Sequence, residues 1–515
     1  MSRKLFRSTL IVSSMTLISR LLGFVRDVIL ASVFGAGPAF DAFVVAFKIP
    51  NFMRRLFGEG AFAQAFIPIL SEYHSNRTTE EICEFINRIA GGLSTTLLLF
   101  VTFVEITAPV IIMIFTPGFI GDPVRLIYAT HMLRITAPYS LLIALTAFAS
   151  AILNTFSRFA VPALIPVLLN IVMIVLAWFW APCALTPIYV LAWGVLIGGI
   201  LQLVIQFPFM YRLGVLPIPQ WKWNDPGVLR VLKLMIPALF GVSVTQISLL
   251  IDNLFASFLP VGSISWLYYS DRLTYLPLGV IGVALATVVL PDLSRQYSTK
   301  SPEAYTAILD WALRIAILIG VPSAVALFIL AGPLLATLIY HGAFTAHDFI
   351  MTRKSLWAFS VGLPGFILIK ILVSAFYARQ DVKTPVKIAI LTVGINLILN
   401  ALLIHSLAHA GLALATSLAS SFNAILLLYF LLRRSIYVPV SNWRKFIFQL
   451  IVANVAMASI IAWFSGEMNC WLAWSINKRV WHLAMIILSG FITYLVTLSI
   501  SGLNIYDLRP PVNID

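Results

Sequence analysis

Residues 19–73 read SRLLGFVRDVILASVFGAGPAFDAFVVAFKIPNFMRRLFGEGAFAQAFIPILSEY. Two long apolar segments fill this stretch, yet between Arg20 and Glu59 it carries eight charges: Arg20, Arg26, Asp27, Asp41, Lys48, Arg54, Arg55 and Glu59. Each such charge at the centre of a hydrocarbon slab costs about 2.5–3.5 kcal/mol on insertion scales, so the eight must line a wet interior rather than face lipid. Five of them are cations. That interior therefore favours an anion, and arginine is the side chain whose planar fork fits phosphate oxygens.

Spacing sharpens this reading. Arg20 and Asp27, like Asp41 and Lys48, stand seven residues apart, which returns to nearly the same helix face. One charged face per helix is predicted. Pro50 has no amide hydrogen and leaves the carbonyl of Ala46 without its helical donor, so the second segment is expected to break or bend at Pro50 and Asn51. A break amid buried charge suggests a site. The competing reading is that the charges pair privately and only fix helix packing, with Arg55 and Glu59 one turn apart as the obvious couple. The excess of cations over partners weighs against it.

The stretch closely resembles the MurJ (MviN) family of bacterial lipid II flippases. The residues that carry the likeness are Ser19-Arg20, Gly23-Phe24, Arg26-Asp27, Phe34-Gly35-Ala36-Gly37, Asp41-Ala42-Phe43, Pro50-Asn51, Arg54-Arg55 and Glu59-Gly60-Ala61-Phe62, followed by Trp266, Tyr268 to Leu273 and Arg379 to Pro385. It covers about the first 430 residues, and the remainder by hydropathy alone. The family implies a transporter of the multidrug/oligosaccharidyl-lipid/polysaccharide exporter superfamily that moves lipid-linked peptidoglycan precursor from the inner to the outer leaflet. By this resemblance Arg20, Arg26, Asp41, Arg54 and Arg272 match the charged cavity residues on which the family depends, with Ser19, Asn51, Glu59 and Ser265 beside them.

Composition points the same way. Of 515 residues 60% are hydrophobic and 10% charged, and the mean hydropathy is +0.98, which excludes a soluble protein and indicates an all-α polytopic membrane protein. The net charge of +14 is scattered singly through short loops, as orientation signals are, and no nucleic-acid partner is expected. Cys83, Cys183 and Cys470 lie far apart, with neither a disulfide framework nor metal spacing. The basic start and apolar run of residues 1–24 look like a signal peptide, but Arg20 interrupts the run and no small-x-small cleavage site precedes it, so a retained first helix is predicted.

With about 20 apolar residues per crossing, fourteen transmembrane helices are predicted, among them 39–72, 263–293, 384–404 and 409–432. An even number puts both termini on one side. Eighteen Lys and Arg fall in the loops of that side and five in the opposite loops, so the positive-inside rule sets both termini in the cytoplasm of a bacterial inner-membrane protein.

The chain also repeats itself. Pro68 to Ser71 match Pro291 to Ser294, Ala61 and Ala63 match Ala284 and Ala286, Pro162 matches Pro385, and Leu191-Ala192 match Leu414-Ala415, every pair at one and the same offset along the chain. Helices 1–6 thus correspond to helices 7–12, two six-helix lobes in parallel repeat, with helices 13 and 14 outside it. The predicted organisation is an N-lobe over 1–225 with the cationic cavity, a C-lobe over 226–435, and an extra helix pair with the C-terminal tail over 436–515. The intramembrane charges of the second half are Asp252, Asp271, Arg272, Arg314 and Lys370, so the anion site is biased to the first lobe, with Arg272 reaching in.

Other constellations are weaker. His405 and His409 stand one turn apart in a predicted short loop but lack a carboxylate or cysteine partner for a metal. The family likeness allows a cation site in the second lobe, to which Asp252 and Asp381 would contribute. There is no GxxxxGK[ST], HExxH or GxSxG, so neither nucleotide hydrolysis nor an enzyme active site is indicated. The leading reading is a lipid II flippase working by alternating access, its partners lipid II (undecaprenyl-pyrophosphate disaccharide-pentapeptide) and membrane lipids, with no cofactor beyond a coupling monovalent ion if transport uses one. The alternatives are an exporter of another lipid-linked glycan or of drugs on the same fold, or a polyprenyl-phosphate membrane enzyme.

Overall fold

The computed structural model describes residues 3–58, 61–222, 225–299, 301–439 and 442–503, which are built from helices with no strand among them. Two compact units divide the chain, Met1–Ser265 and Trp266–Asp515. The first contains α1 (Arg3–Phe34), α2 (Pro38–Gly58), α3 (Ala61–Asn76), α4 (Thr79–Phe115), α5 (Pro123–Thr155), α6 (Ala160–Val175), α7 (Pro187–Val204), α8 (Phe207–Arg212), α9 (Pro226–Ser257) and the first turn of α10 (Ser263–Pro277). It includes α9, which the sequence repeat assigns to the second half, because α9 packs on α3 and α4. The second unit continues with the rest of α10, α11 (Val283–Ser298), α12 (Pro302–Ile329), α13 (Ala331–Leu338), α14 (Ala346–Ala378), α15 (Lys383–Arg433), α16 (Trp443–Ser465), α17 (Met468–Ala473) and α18 (Ile476–Ile500).

Among the described residues nine helices are long and apolar enough to cross a membrane. Those outside this set include α1, α2, α9 and α10, which carry the interior charges. The repeat is visible in the helix boundaries themselves. Shifted by the offset of the repeat, α1 falls on α9 (32 residues each) and α5 on α14 (33 residues each). The starts correspond as well as the lengths: Asp122 caps the backbone amides of α5, and Thr345, at the equivalent position, forms a capping box with Asp348 at the start of α14.

The structure corrects the predicted segmentation in two places. Where one helix was expected over 39–72, two are found, α2 and α3, and α2 runs without a break through Pro50 and Asn51. Where one was expected over 263–293, α10 and α11 are joined by a π-helical turn at Leu278–Gly282 that follows Pro277. Residues 384–404 and 409–432 lie, as expected, in two helices, which together make the 51 residues of α15 and meet at Ala408, whose φ of 49° and ψ of −128° are not helical. A straight helix of that length, rising about 1.5 Å per residue, would be more than twice as long as a bilayer core is thick. It is not straight: a Cβ on Gly411 would lie 2.4 Å from the Leu403 carbonyl oxygen, so the chain doubles back at Ala408. His405 is exposed and His409 buried on the far side of this turn, its Nε2 donating to the Met351 carbonyl at 3.0 Å, so the two do not share a metal.

In the first unit α2 lies along α5, α1 against α6, and α5 between α4 and α7. Phe62 and Phe66 of α3 stack with ring centroids 5.2 Å apart, and Phe66 meets Phe148 of α5 at 5.1 Å. In the second unit α14 is the central helix, flanked by α11, α12 and α15. The pair α16 and α18 docks on its edge: buried Asp310 of α12 accepts from the Tyr437 hydroxyl (2.6 Å) and the Trp443 indole (2.8 Å), and Tyr494 of α18 donates to the Leu318 carbonyl (2.6 Å). Arg314 completes the Asp310 pair at 2.8 Å and stacks on Trp443 and Phe446.

Candidate functional site

The helices of the first unit bring a set of cations and their partners into its interior. Arg26 on α1 is 9% exposed, and its guanidinium is braced on three sides: Nε and Nη2 donate to Asp27 Oδ1 at 3.0 and 2.7 Å, and Nη1 donates to Asn170 Oδ1 at 3.0 Å. Asn170 comes from α6, and its amide nitrogen donates to the Ser19 carbonyl at 3.0 Å. Ser19 thus enters through its backbone. Asp27, expected on one helix face with Arg20, is bonded to its neighbour Arg26. Arg20 is half-buried and makes no hydrogen bond or ion pair among the described residues.

On α2, Arg54 donates through Nε to Asn51 Oδ1 at 2.8 Å, one turn earlier, so the residue after Pro50 serves as a brace inside an intact helix rather than as a break. Lys48 reaches Asn253 Oδ1 of α9. Glu59 lies outside the described residues, and with it the Arg55–Glu59 couple. A guanidinium has five donors and no acceptor, so it suits an anion, and braces on some of its donors fix the orientation of the fork.

Asp41 is fully buried in the first turn of α2 and pairs with no cation among the described residues: its Oδ2 accepts from the Gly262 amide at 2.7 Å, and its Oδ1 from the Ser265 amide at 2.9 Å and from the Ser265 hydroxyl. The carboxylate therefore caps the N-terminus of α10, where unpaired amides and the helix dipole favour negative charge. Ser265 is fully buried in this contact.

Arg272 belongs to the second unit, half-buried on α10, with its guanidinium over the Tyr268 ring 4.8 Å from the centroid. Trp266, at the start of that unit, donates its indole N–H to buried Asp348 at 2.8 Å. Of the two carboxylates suggested for a cation site, Asp381 is committed elsewhere: it accepts from the Thr384 amide and hydroxyl at 3.0 and 2.7 Å and pairs with Arg434 at 2.9 Å. It caps α15 rather than presenting an open ligand position. Asp252 is half-buried on α9 in the first unit, and no group of three His, Cys, Asp or Glu suited to a metal occurs among the described residues.

Sequence reasoning missed Asn170, Asn253 and Gly262. Asn170 did leave a trace, as the one polar residue in the apolar run of α6. Asn253 and Gly262 stand 205 and 221 residues from the side chains they hold, and nothing local marks them.

The family model for the lipid II flippase MurJ matches residues 30–482. The probable lipid II flippase MurJ of Vibrio cholerae serotype O1 is 42% identical over 515 residues, 99% of this chain and 98% of that protein. The lipid II flippase MurJ of Burkholderia cenocepacia is 41% identical over 463 residues, covering 89% of this chain and 90% of its own. Among solved structures, an inward closed conformation of lipid II flippase MurJ superposes with a TM-score of 0.81 at 30% identity over 95% of this chain and 98% of that one. An inward-facing multidrug-resistance MATE transporter of the MOP superfamily shares the fold at a TM-score of 0.68 and 16% identity, over 83% of this chain and 98% of that one. The chain belongs to the lipid II flippase MurJ family.

Proposed function

We propose that the protein is a lipid II flippase of the bacterial inner membrane, a transporter that carries the undecaprenyl-pyrophosphate-linked precursor between leaflets without altering its covalent bonds. The observation that carries this reading is the braced, buried guanidinium of Arg26, with Arg54 held on α2 of the same unit, inside a chain of this family. Arg20, Arg26 and Arg54, with Arg272, take the pyrophosphate and sugars while the prenyl tail stays in lipid, so the head group never meets hydrocarbon. The lobes alternate access by rocking, both termini lie in the cytoplasm, and the inside-negative potential supplies a drive of about 2.3 kcal/mol per charge per 100 mV.

The test is leaflet-resolved accessibility of lipid II in cells depleted of the protein and complemented with Ala or Lys at Arg20, Arg26, Arg54 and Arg272. Precursor should accumulate in the inner leaflet with each Ala variant. Failure of Lys as well as Ala at a site would assign fork geometry rather than charge alone. Normal translocation by all four Ala variants would remove the anion site. Chemical conversion of lipid II by the purified protein would replace transport by enzymology, and equal export of unrelated lipid-linked glycans would broaden the substrate.

A further inference from the structure

Tyr139 sits on α5 with its side chain fully buried, and its hydroxyl has no hydrogen-bond partner among the described residues. The ring is seated in a shaped place. Gly199 of α7 makes room for it: a Cβ there would lie 2.5 Å from Tyr139 Cδ2. Phe47 of α2 packs on it with ring centroids 6.3 Å apart. Phe47 stands seven residues before Arg54, on nearly the same face of α2. Pro138, one residue earlier, removes the amide that would serve the Arg134 carbonyl, so α5 lacks a helical bond at this turn and can flex there.

A phenylalanine would fill the same space with no polar atom to satisfy. Burying a hydroxyl without a partner is penalised, and such orphans in native structures ask for a cause. Toward a guanidinium, which only donates, a tyrosine hydroxyl is an acceptor. Arg26 is braced by Asp27 and by Asn170 of α6, and Arg54 stands on α2, the helix whose Phe47 packs on the Tyr139 ring.

We propose that Tyr139 is a positioning residue of the anion site: when the pyrophosphate head group is bound, its hydroxyl accepts a hydrogen bond from Arg54 and fixes the fork against the phosphate oxygens. This rests on the assignment of the arginines to the head group.

Binding is measured on the purified full-length protein in detergent with undecaprenyl pyrophosphate as probe and undecaprenol as the phosphate-free control. Tyr139→Phe should weaken pyrophosphate-dependent binding at least fivefold, with an unchanged or raised melting temperature, since only the orphan hydroxyl is removed. In an Arg54→Lys background, which has no fork to orient, the same change should have less than a twofold effect. Thr146→Val removes a second buried, unpartnered hydroxyl on the same helix and should leave affinity within twofold. Affinity of Tyr139→Phe within twofold of the parent, while Arg26→Ala and Arg54→Ala abolish binding, overturns the role of Tyr139 alone. Binding undiminished in the two Ala variants overturns the site itself. A lowered melting temperature with a loss equal in both backgrounds would make the hydroxyl a packing element and reject the proposal.

Discussion

Replacing Gly91 by alanine should destabilise the first unit, against the usual sign of that substitution in a helix. Gly91 lies on α4 in a stripe with Cys83, Asn87 and Thr95, each four residues from the next, and the segment after α8 is laid along that stripe. Asn87 accepts from the Gln220 amide through its carbonyl (3.0 Å) and from the Ile218 amide through its side chain (2.7 Å), Thr95 accepts from the Trp221 indole (2.7 Å), and Cys83 donates to the Gly214 carbonyl (3.3 Å). A Cβ on Gly91 would stand 2.1 Å from the Gln220 carbonyl oxygen and 2.6 and 2.8 Å from its carbon and nitrogen, all backbone atoms. To reach ordinary contact the segment must lift by about 1.3 Å, which carries bonds of 2.7 and 3.0 Å beyond hydrogen-bond range. Three bonds at about 1 kcal/mol each, less about 1 kcal/mol regained in helix propensity, leave a loss of about 2 kcal/mol. Gly394, with nothing within 4 Å of its would-be Cβ, is the control: Gly394→Ala should be neutral or stabilise by up to about 1 kcal/mol. Thermal unfolding in detergent reads the stability, and hydrogen exchange at Ile218 and Gln220 reads the lift. A Gly91→Ala protein as stable as the parent, with exchange at those amides unchanged, would refute the reasoning.

Asp41→Asn retains the shape but presents a neutral amide to the donors of Gly262 and Ser265, so exchange of the Ser265 amide should rise and transport fall while insertion stays normal; unchanged exchange and transport would deny the cap its role. Arg479, buried at the start of α18, donates to the carbonyls of Trp474, Ala336 and Leu472, tying together α13, α17 and α18. Arg479→Ala should lose about 2–4 kcal/mol, and Arg479→Lys should recover only part of it, as a thermal melt will show. Trp443→Phe leaves the ring on Arg314 but takes one donor from Asp310, and should loosen α16 from α12 by about 1.5–3 kcal/mol; a double-mutant cycle with Asp310→Asn should return a coupling of that order.

What the sequence made legible follows from range. Apolar run length and the internal repeat depend on neighbours along the chain or on comparing the chain with itself, and the all-helical architecture they predict is present among the described residues. A proline removes one hydrogen bond without dictating the response, and α2 continues through Pro50 without a break. The bond between Arg26 and Asp27 is not legible from helical spacing, because adjacent residues on a helix point apart and Asn170, which also holds Arg26, comes from α6. Asp41 was recognised as buried and important, but the amides it caps are 221 and 224 residues away, and backbone donors leave no mark in a sequence.

The same repeat separates what the fold needs from what it does not. The positions that the repeat makes equivalent to Arg26, Asp27 and Asn170 hold Leu249, Leu250 and Val393, and the equivalent of Arg54 is Pro277. The second half forms helices of matching boundaries at these places, α9 against α1 and the start of α15 against α6, with the polar trio replaced by aliphatic residues. A buried, hydrogen-bonded charge network is often no more stabilising than apolar side chains of similar volume, so stability alone gives no reason to keep one in a membrane helix. Had Arg26, Asp27 and Asn170 served only to pack α1 on α6, aliphatic side chains would have done so without burying charge. The network thus marks where two halves of matching helix boundaries differ in chemistry, and that is where the anionic head group is to be sought.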